Sequence, residues 1–452
     1  MNLKKNLYIH LEISSRELIS NLLLSIFAIK KGFRVHLGDL YSLKKILNKK
    51  KNKEGIFIAK GNIDIETHKL VKNKSEKLVS IDQEITPGFS DYYYKNIIKT
   101  RYSFLSKNFD LFFCINNKIK KNFESSLQLK KNRVIASGFP RFDLCKNEFA
   151  PIYSKDVKKL KDKYTNFYLF NSDYGVTSEK DYYLKYKFVS RFAKKKYMKD
   201  FLPKFNLHDF KNLFKFLKSL KDNKKIPTII FRPHPAENIN DWSEMKKINS
   251  NFFVDYPKND VTPIILACDG IIHRGSTTAF QGILFKKKIA YIDLTKGLQK
   301  EKWFRKSLYK NSSLIKNSTD LKKWIKSSPK KNILKKINKL LNLEDKYSCE
   351  KIIDEINKFK IKPSVKHQQF QLYTNFEVKY KNIKLKIYDF LACFGFVKER
   401  DYFKKGATLK IDKRFSKQRV SFYIKHFRKI IKLHRQVSIL KITDNLFEIE
   451  LK

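Results

Sequence analysis

Residues 7–37 read LYIHLEISSRELISNLLLSIFAIKKGFRVHL, and this stretch decides the fold class. Leu7–Ile13 is a short apolar strand. Ser14 and Ser15 stand where helix N-caps would, and Glu17 follows Ser14 by three residues, the spacing of a capping box. Leu18, Ile19, Leu22, Leu23, Ile26 and Phe27 then recur on one helical face. Gly32 stops the helix as a glycine beyond the last turn does, and Phe33–Leu37 resumes as a strand. A strand–helix–strand unit implies a parallel sheet, hence an α/β protein.

Short apolar runs continue the series at Gly55–Ala59, Leu78–Ile81, Leu111–Ile115 and Val134–Ala136. A second series runs through Asn166–Phe170, Thr228–Phe231, Phe252–Val254, Gly270–His273 and Ile289–Ile292. Two α/β units joined near 140–165 accommodate these runs better than one very wide sheet. The expected domains are therefore 1–150, 151–345, and a helical linker with a basic C-terminal extension over 346–452. Within that extension, a helical region around Phe422–Leu433 precedes an alternating end, Leu446–Leu451.

The chain has 452 residues, 42% of them hydrophobic and 14% aromatic, enough apolar material to exclude a wholly disordered protein. Lys+Arg number 98 against 44 Asp+Glu, a formal charge of +54. Such an excess suits phosphate backbones. It is spread along the chain, however, with 22 basic against 8 acidic residues over 361–452, and 84 of the 98 cations are lysine. Solvated lysine faces and small anionic ligands fit this pattern better than nucleic acid. Lys185–Lys225 exceeds the background, with 14 basic and 3 acidic residues interleaved with phenylalanines. That segment reads as an amphipathic helix pair or as a contact with an anionic membrane surface. Five scattered cysteines without a CxxC pair indicate a reducing compartment. No apolar run approaches the ~20 residues of a membrane span, so a cytoplasmic protein, free or peripheral on the inner membrane face, is expected.

Three loops carry the candidate chemistry. Phe231-Arg232-Pro233-His234-Pro235 follows a strand, so Arg232 and His234 stand where ligands of open parallel sheets bind. Arginine grips phosphate bidentately, and histidine can donate to a leaving oxygen. His273-Arg274-Gly275-Ser276-Thr277-Thr278 ends another strand with a glycine turn and three hydroxyls, a pattern suited to an anion. In the first unit, Asp82-Gln83-Glu84 follows the strand Leu78–Ile81 and offers a general base, while Glu12 and Arg16 lie at the end of the first strand. A Walker loop, a GxGxxG fingerprint and a metal-binding DxD-like cluster are all absent from the sequence.

In order, Glu12, Arg16-Glu17-Leu18, Asp82-Gln83-Glu84, Gly138-Phe139-Pro140-Arg141-Phe142-Asp143, Arg232-Pro233-His234-Pro235 and His273–Thr278 resemble the bacterial surface carbohydrate biosynthesis proteins. That group is GT-B-like and related to capsule Kdo transferases, polysialyltransferases and CDP-glycerol glycerophosphotransferases. The resemblance covers roughly residues 5–300. It implies two Rossmann-like domains with parallel sheets facing a central cleft, the first serving the acceptor and the second the nucleotide. It also implies that His234-Pro235 and Ser276-Thr277 hold a CMP-type donor, with Arg232, Gly275 and Thr278 beside them. Asp82 or Glu84 would activate the acceptor hydroxyl, though Gln83 interrupts the acidic motif of the wider group. Glu12 and Arg16 would lie on the acceptor side. The expected activity is glycosyl transfer to a glycan or lipid-linked glycan, without cofactor or metal. A polyol-phosphate transferase, a sugar-nucleotide epimerase and a non-enzymatic RNA- or membrane-binding protein remain the alternatives.

Overall fold

The computed structural model describes residues 3–180, 182, 196–223, 225–234, 237–255, 260–295, 305–330, 332–343, 346–364, 380, 383, 387 and 416–452. The first apolar series forms β1 (Lys5–His10), β2 (Phe33–Gly38), β3 (Ile56–Ala59), β4 (Lys77–Ile81), β5 (Leu111–Cys114) and β6 (Val134–Ala136). They pair in parallel in the order β2-β1-β3-β4-β5-β6. The chain steps outward from β1 to β2 and then back past β1 to β3, so the order reverses between β1 and β3. In open parallel sheets such a reversal opens a crevice beyond the strand ends.

The helix Ser14–Lys30 crosses from β1 to β2 and is buried along most of its length. Leu22, Leu23, Leu24 and Ile26 are inaccessible to solvent, as a helix apolar on most faces requires. Its start differs from the expectation. Ile13 is the N-cap residue and Ser14 is already helical, so neither serine side chain caps. Instead the Glu17 carboxylate turns back to accept from the backbone N–H of Glu12 (3.0 Å) and Ile13 (3.1 Å).

The second series forms β7 (Phe167–Asn171), β8 (Thr228–Arg232), β9 (Phe252–Val254), β10 (Gly270–His273), β11 (Lys288–Ile292) and β12 (Ser313–Ile315). These are parallel in the order β12-β11-β10-β7-β8-β9, reversing between β7 and β10. This is the dinucleotide-type strand order of a Rossmann sheet. Its core gathers Phe170, Phe231, Trp242, Met245 and Phe252. The helix Lys196–Lys218 adds Phe210, Leu213 and Leu217 to that core, and Phe214 and Phe216 pack against it. These phenylalanines of the basic segment are thus packing residues, as its amphipathic-helix reading had it. Residues 185–195 and 224, with Phe188 and Phe192, lie outside the described residues.

The described C-terminal residues join the first sheet and do not form a separate extension. β13 (Val437–Thr443) and β14 (Leu446–Leu451) make an antiparallel hairpin, and β14 pairs antiparallel with β2, Glu448 opposite His36 and Ile449 opposite Val35. An edge strand with open N–H and C=O groups is thereby covered. Glu450 accepts from Arg34 Nε (3.0 Å) and Lys4 Nζ (3.2 Å), pairing a buried guanidinium. Asp143, closing the Gly138–Asp143 motif, accepts from the N–H groups of Ser348 and Cys349 (both 2.8 Å) and caps the helix Ser348–Asn357. The chain accordingly divides into one unit of residues 1–86, 94–144 and 340–452 and another of 87–93 and 145–339, in place of boundaries at 150 and 345. Cys114, Cys145, Cys268 and Cys349 are buried, and Cys393 lies outside the described residues. Among the described residues, no helix is long and apolar enough to cross a membrane.

Candidate functional site

In the second unit the two sequence-predicted loops follow β8 and β10. These strands are not neighbours: β7 lies between them, so their ends are ~10 Å apart. Both loops are tied to the end of β7. Asn171 Nδ2 donates to Thr278 Oγ1 (2.7 Å), which also pairs with Ser276 Oγ (2.8 Å). On the other side, Ser172 Oγ lies 2.6 Å from the buried Glu237 carboxylate. Glu237 further accepts from the N–H groups of Tyr174 (2.8 Å), Gly175 (2.9 Å) and His234 (3.0 Å). One carboxylate thus clasps the β7 loop to the His234 loop. The sequence reading passed over Glu237, although its place three residues after His234 is the spacing of a side chain that caps a turn.

Arg232, Gly275, Ser276, Thr277 and Thr278 all sit around this reversal point. Arg232 is buried and ion-paired with Asp255 after β9. Gly275 has φ +115°, a conformation that side-chain-bearing residues rarely adopt. Its N–H donates to His273 Nδ1 (3.0 Å), which leaves the proton on Nε2 to donate to Ser312 Oγ (2.9 Å). Burial and the neighbouring Arg305 push the His273 imidazole down to about 3, so it is neutral and structural. Arg274 is buried in an ion pair with Asp209, donates to Asp173 O (3.2 Å) and Asn206 Oδ1 (3.0 Å), and stacks on Tyr174. Arg305, a further residue the sequence did not single out, bonds to Gly275 O and to Asp173 Oδ2 (3.3 Å). The helix after the hydroxyls is short, Thr278–Leu284, and Thr277 caps it through no side-chain bond. Pro235 lies outside the described residues.

In the first unit the reversal point collects Glu12, Arg16, Glu17, Lys60, Asp82, Glu84 and Arg101. All four sequence-predicted residues of this unit are among them. Lys60 follows β3 and contacts Glu12, Glu17 (3.3 Å) and Glu84 (3.2 Å). Arg16 bridges Glu17 (3.1 Å) and Glu84 (3.2 Å). Arg101 bridges Asp82 (3.0 Å) and Glu84 (3.1 Å). Asp82 is buried and also accepts from Tyr102 OH (2.8 Å), which makes it a support for Arg101. Burial alone would raise the Glu84 carboxyl, but Lys60, Arg101 and Arg16 overcome that and hold it well below the usual carboxylate range. Lys60 is disfavoured as a cation by burial, yet Glu17, Glu84 and Glu12 keep its proton affinity raised. Sequence patterning could not mark Lys60, one lysine among 84. Among the described residues, no group of three or more His, Cys, Asp or Glu is placed to hold a metal ion.

No known protein family matches the chain, and no curated protein does. Among solved structures, the UDP-GlcNAc 2-epimerase of Methanocaldococcus jannaschii, in complex with UDP-GlcNAc and UDP, is similar with a TM-score of 0.49. Identity is 12%, over 77% of this chain and 98% of that one. The UDP-GlcNAc 2-epimerase of Neisseria meningitidis, bound to UDP-GlcNAc, gives 0.48 at 11% identity over 78% and 99%. The wall teichoic acid polymerase TagF gives 0.41 at 14% over 67% and 71%.

Proposed function

We propose that this chain transfers a sugar from a nucleotide-activated donor to a glycan or lipid-linked glycan acceptor. The observation that supports this most is the second unit's reversal point, where Asn171 and Glu237 hold the Ser276–Thr278 and His234 loops on either side of β7. Hydroxyls and an imidazole held around one strand end suit the phosphates of a nucleotide, and donors fixed in advance cost no reorganisation during reaction. In this reading His234, Ser276 and Thr277 meet the departing phosphate, with Gly275, Thr278 and Arg232 holding their loops. The acceptor oxygen bonds to the anomeric carbon as the nucleotide leaves, and the acceptor proton passes to a carboxylate of the first unit. Glu84 suits that role better than Asp82, whose oxygens are committed to Arg101 and Tyr102. Glu12 and Arg16 belong to the same acceptor side.

CMP is the proposed nucleotide. Calorimetry with CMP, CDP-glycerol, UDP and GDP tests it, with CMP expected to bind most tightly. Tighter CDP-glycerol binding moves the reading to polyol-phosphate transfer, and UDP preference overturns the donor. Epimerisation of a UDP-sugar without acceptor replaces transfer altogether.

A further inference from the structure

The arrangement around Glu84 has two tiers. Arg16, Lys60 and Arg101 are each anchored by another carboxylate: Glu17 holds Arg16 and Lys60, Glu12 also holds Lys60, and Asp82 holds Arg101. The Glu17 and Asp82 side chains are 3% and 2% exposed. Glu84 touches all three cations, and at 40% exposure it is more accessible than Glu12, Glu17 and Asp82. Remove Glu84 and each cation keeps a partner, so the cluster keeps its shape while losing one negative charge. Two guanidiniums and an ammonium around one exchangeable carboxylate make a preformed oxyanion receptor, because planar N–H forks match carboxylate and phosphate oxygens alike.

We propose that Glu84 is the resident occupant of a three-cation site made by Arg16, Lys60 and Arg101, and that an oxyanion of the acceptor, a phosphate or a sugar carboxylate, displaces it. This rests on the reading that the first unit serves the acceptor, and it makes that acceptor anionic. Displacement also frees Glu84 from the charges that suppress its basicity, so an anionic acceptor would switch on the base that activates its own hydroxyl. An uncharged acceptor would leave Glu84 locked.

The test is calorimetric titration of inorganic phosphate into the wild-type protein, Glu84→Gln, and Glu84→Gln with Arg16→Gln. Emptying the site of its resident carboxylate is expected to tighten phosphate binding about tenfold, equivalent to ~1.4 kcal/mol, and the added Arg16→Gln to reverse the gain. Phosphate should also raise the melting temperature of Glu84→Gln more than that of the wild type, a readout independent of activity. Glycerol phosphate and glucuronate as alternative probes distinguish a phosphate-bearing from a carboxylate-bearing acceptor. Unchanged phosphate affinity in Glu84→Gln, or a gain that survives Arg16→Gln, overturns the proposal. CMP titrated into the same variants reports the donor reading separately, since loss of CMP binding in all proteins defeats that reading without touching the phosphate result.

Discussion

Around the second unit's reversal point, charges are paired nearly one to one: Arg274 with Asp209, Arg232 with Asp255, Arg305 with Asp173. These pairs secure loops whose remaining groups are hydroxyls, an amide, the His234 imidazole and backbone. At the end of β1 and β3 the charges form a net instead, with Glu84 shared among three cations and each cation shared among carboxylates. The same topological event, a reversal of strand order, is therefore furnished in two ways. Closed pairs are costly to break and leave neutral groups to meet a ligand. A shared net tolerates the loss of one member, so a member can be exchanged.

Four tests would break or sharpen this contrast. Removing residues 437–452 uncovers the edge of β2 and strips Glu450 from the buried Arg34. The first unit should lose its cooperative unfolding transition, while the transition of the second persists; differential scanning calorimetry reads both. Next, Arg274→Met leaves Asp209 buried without its cation, and a buried charge deprived of its partner typically costs about 3–5 kcal/mol. Arg16→Gln, at an exposed and shared position, should cost less than ~1 kcal/mol. Urea denaturation of the two variants compares them directly, and equal losses would erase the distinction between pairs and net.

The third test concerns pH. His273 has a folded value of about 3, below its ordinary unfolded value of ~6.5, so the unfolded chain takes up the proton first. Its contribution is fully present above ~6.5 and declines by about 1.4 kcal/mol per pH unit as pH falls toward 3. His273→Gln should flatten that part of the stability profile whatever its stability at neutral pH. An unchanged slope would place the acid sensitivity elsewhere. Smaller than the loss from Arg274→Met is that of Tyr102→Phe, which removes the hydroxyl from Asp82 and should cost ~1 kcal/mol because Arg101 remains as partner.

The strands were legible because buried parallel strands are apolar runs, and most of them lie within a residue or two of where the sequence placed them. β12 escaped because Ser313-Leu314-Ile315 is too short to carry a pattern. The alternation of Leu446–Leu451 marks a strand but not the burial of Glu448 and Glu450 against His36 and Arg34, partners some four hundred residues away. No local pattern encodes such a pairing. The candidate loops stood out because Pro and Gly punctuate strand ends. What supports them did not: Glu237, Arg305, Lys60 and Arg101 come into place only through the fold. The strand order also separates the β8 and β10 loops by β7, so Asn171 and Ser172, unremarkable in sequence, become the hinge between them.

The central claim is that the nucleotide belongs to the reversal point of the second unit. Calorimetric titration of CMP into wild-type protein, His234→Ala and Glu84→Gln tests it most directly. Binding is expected that His234→Ala abolishes and Glu84→Gln leaves intact. CMP binding that survives His234→Ala but is lost in Glu84→Gln would contradict it and move the nucleotide to the charged net of the first unit.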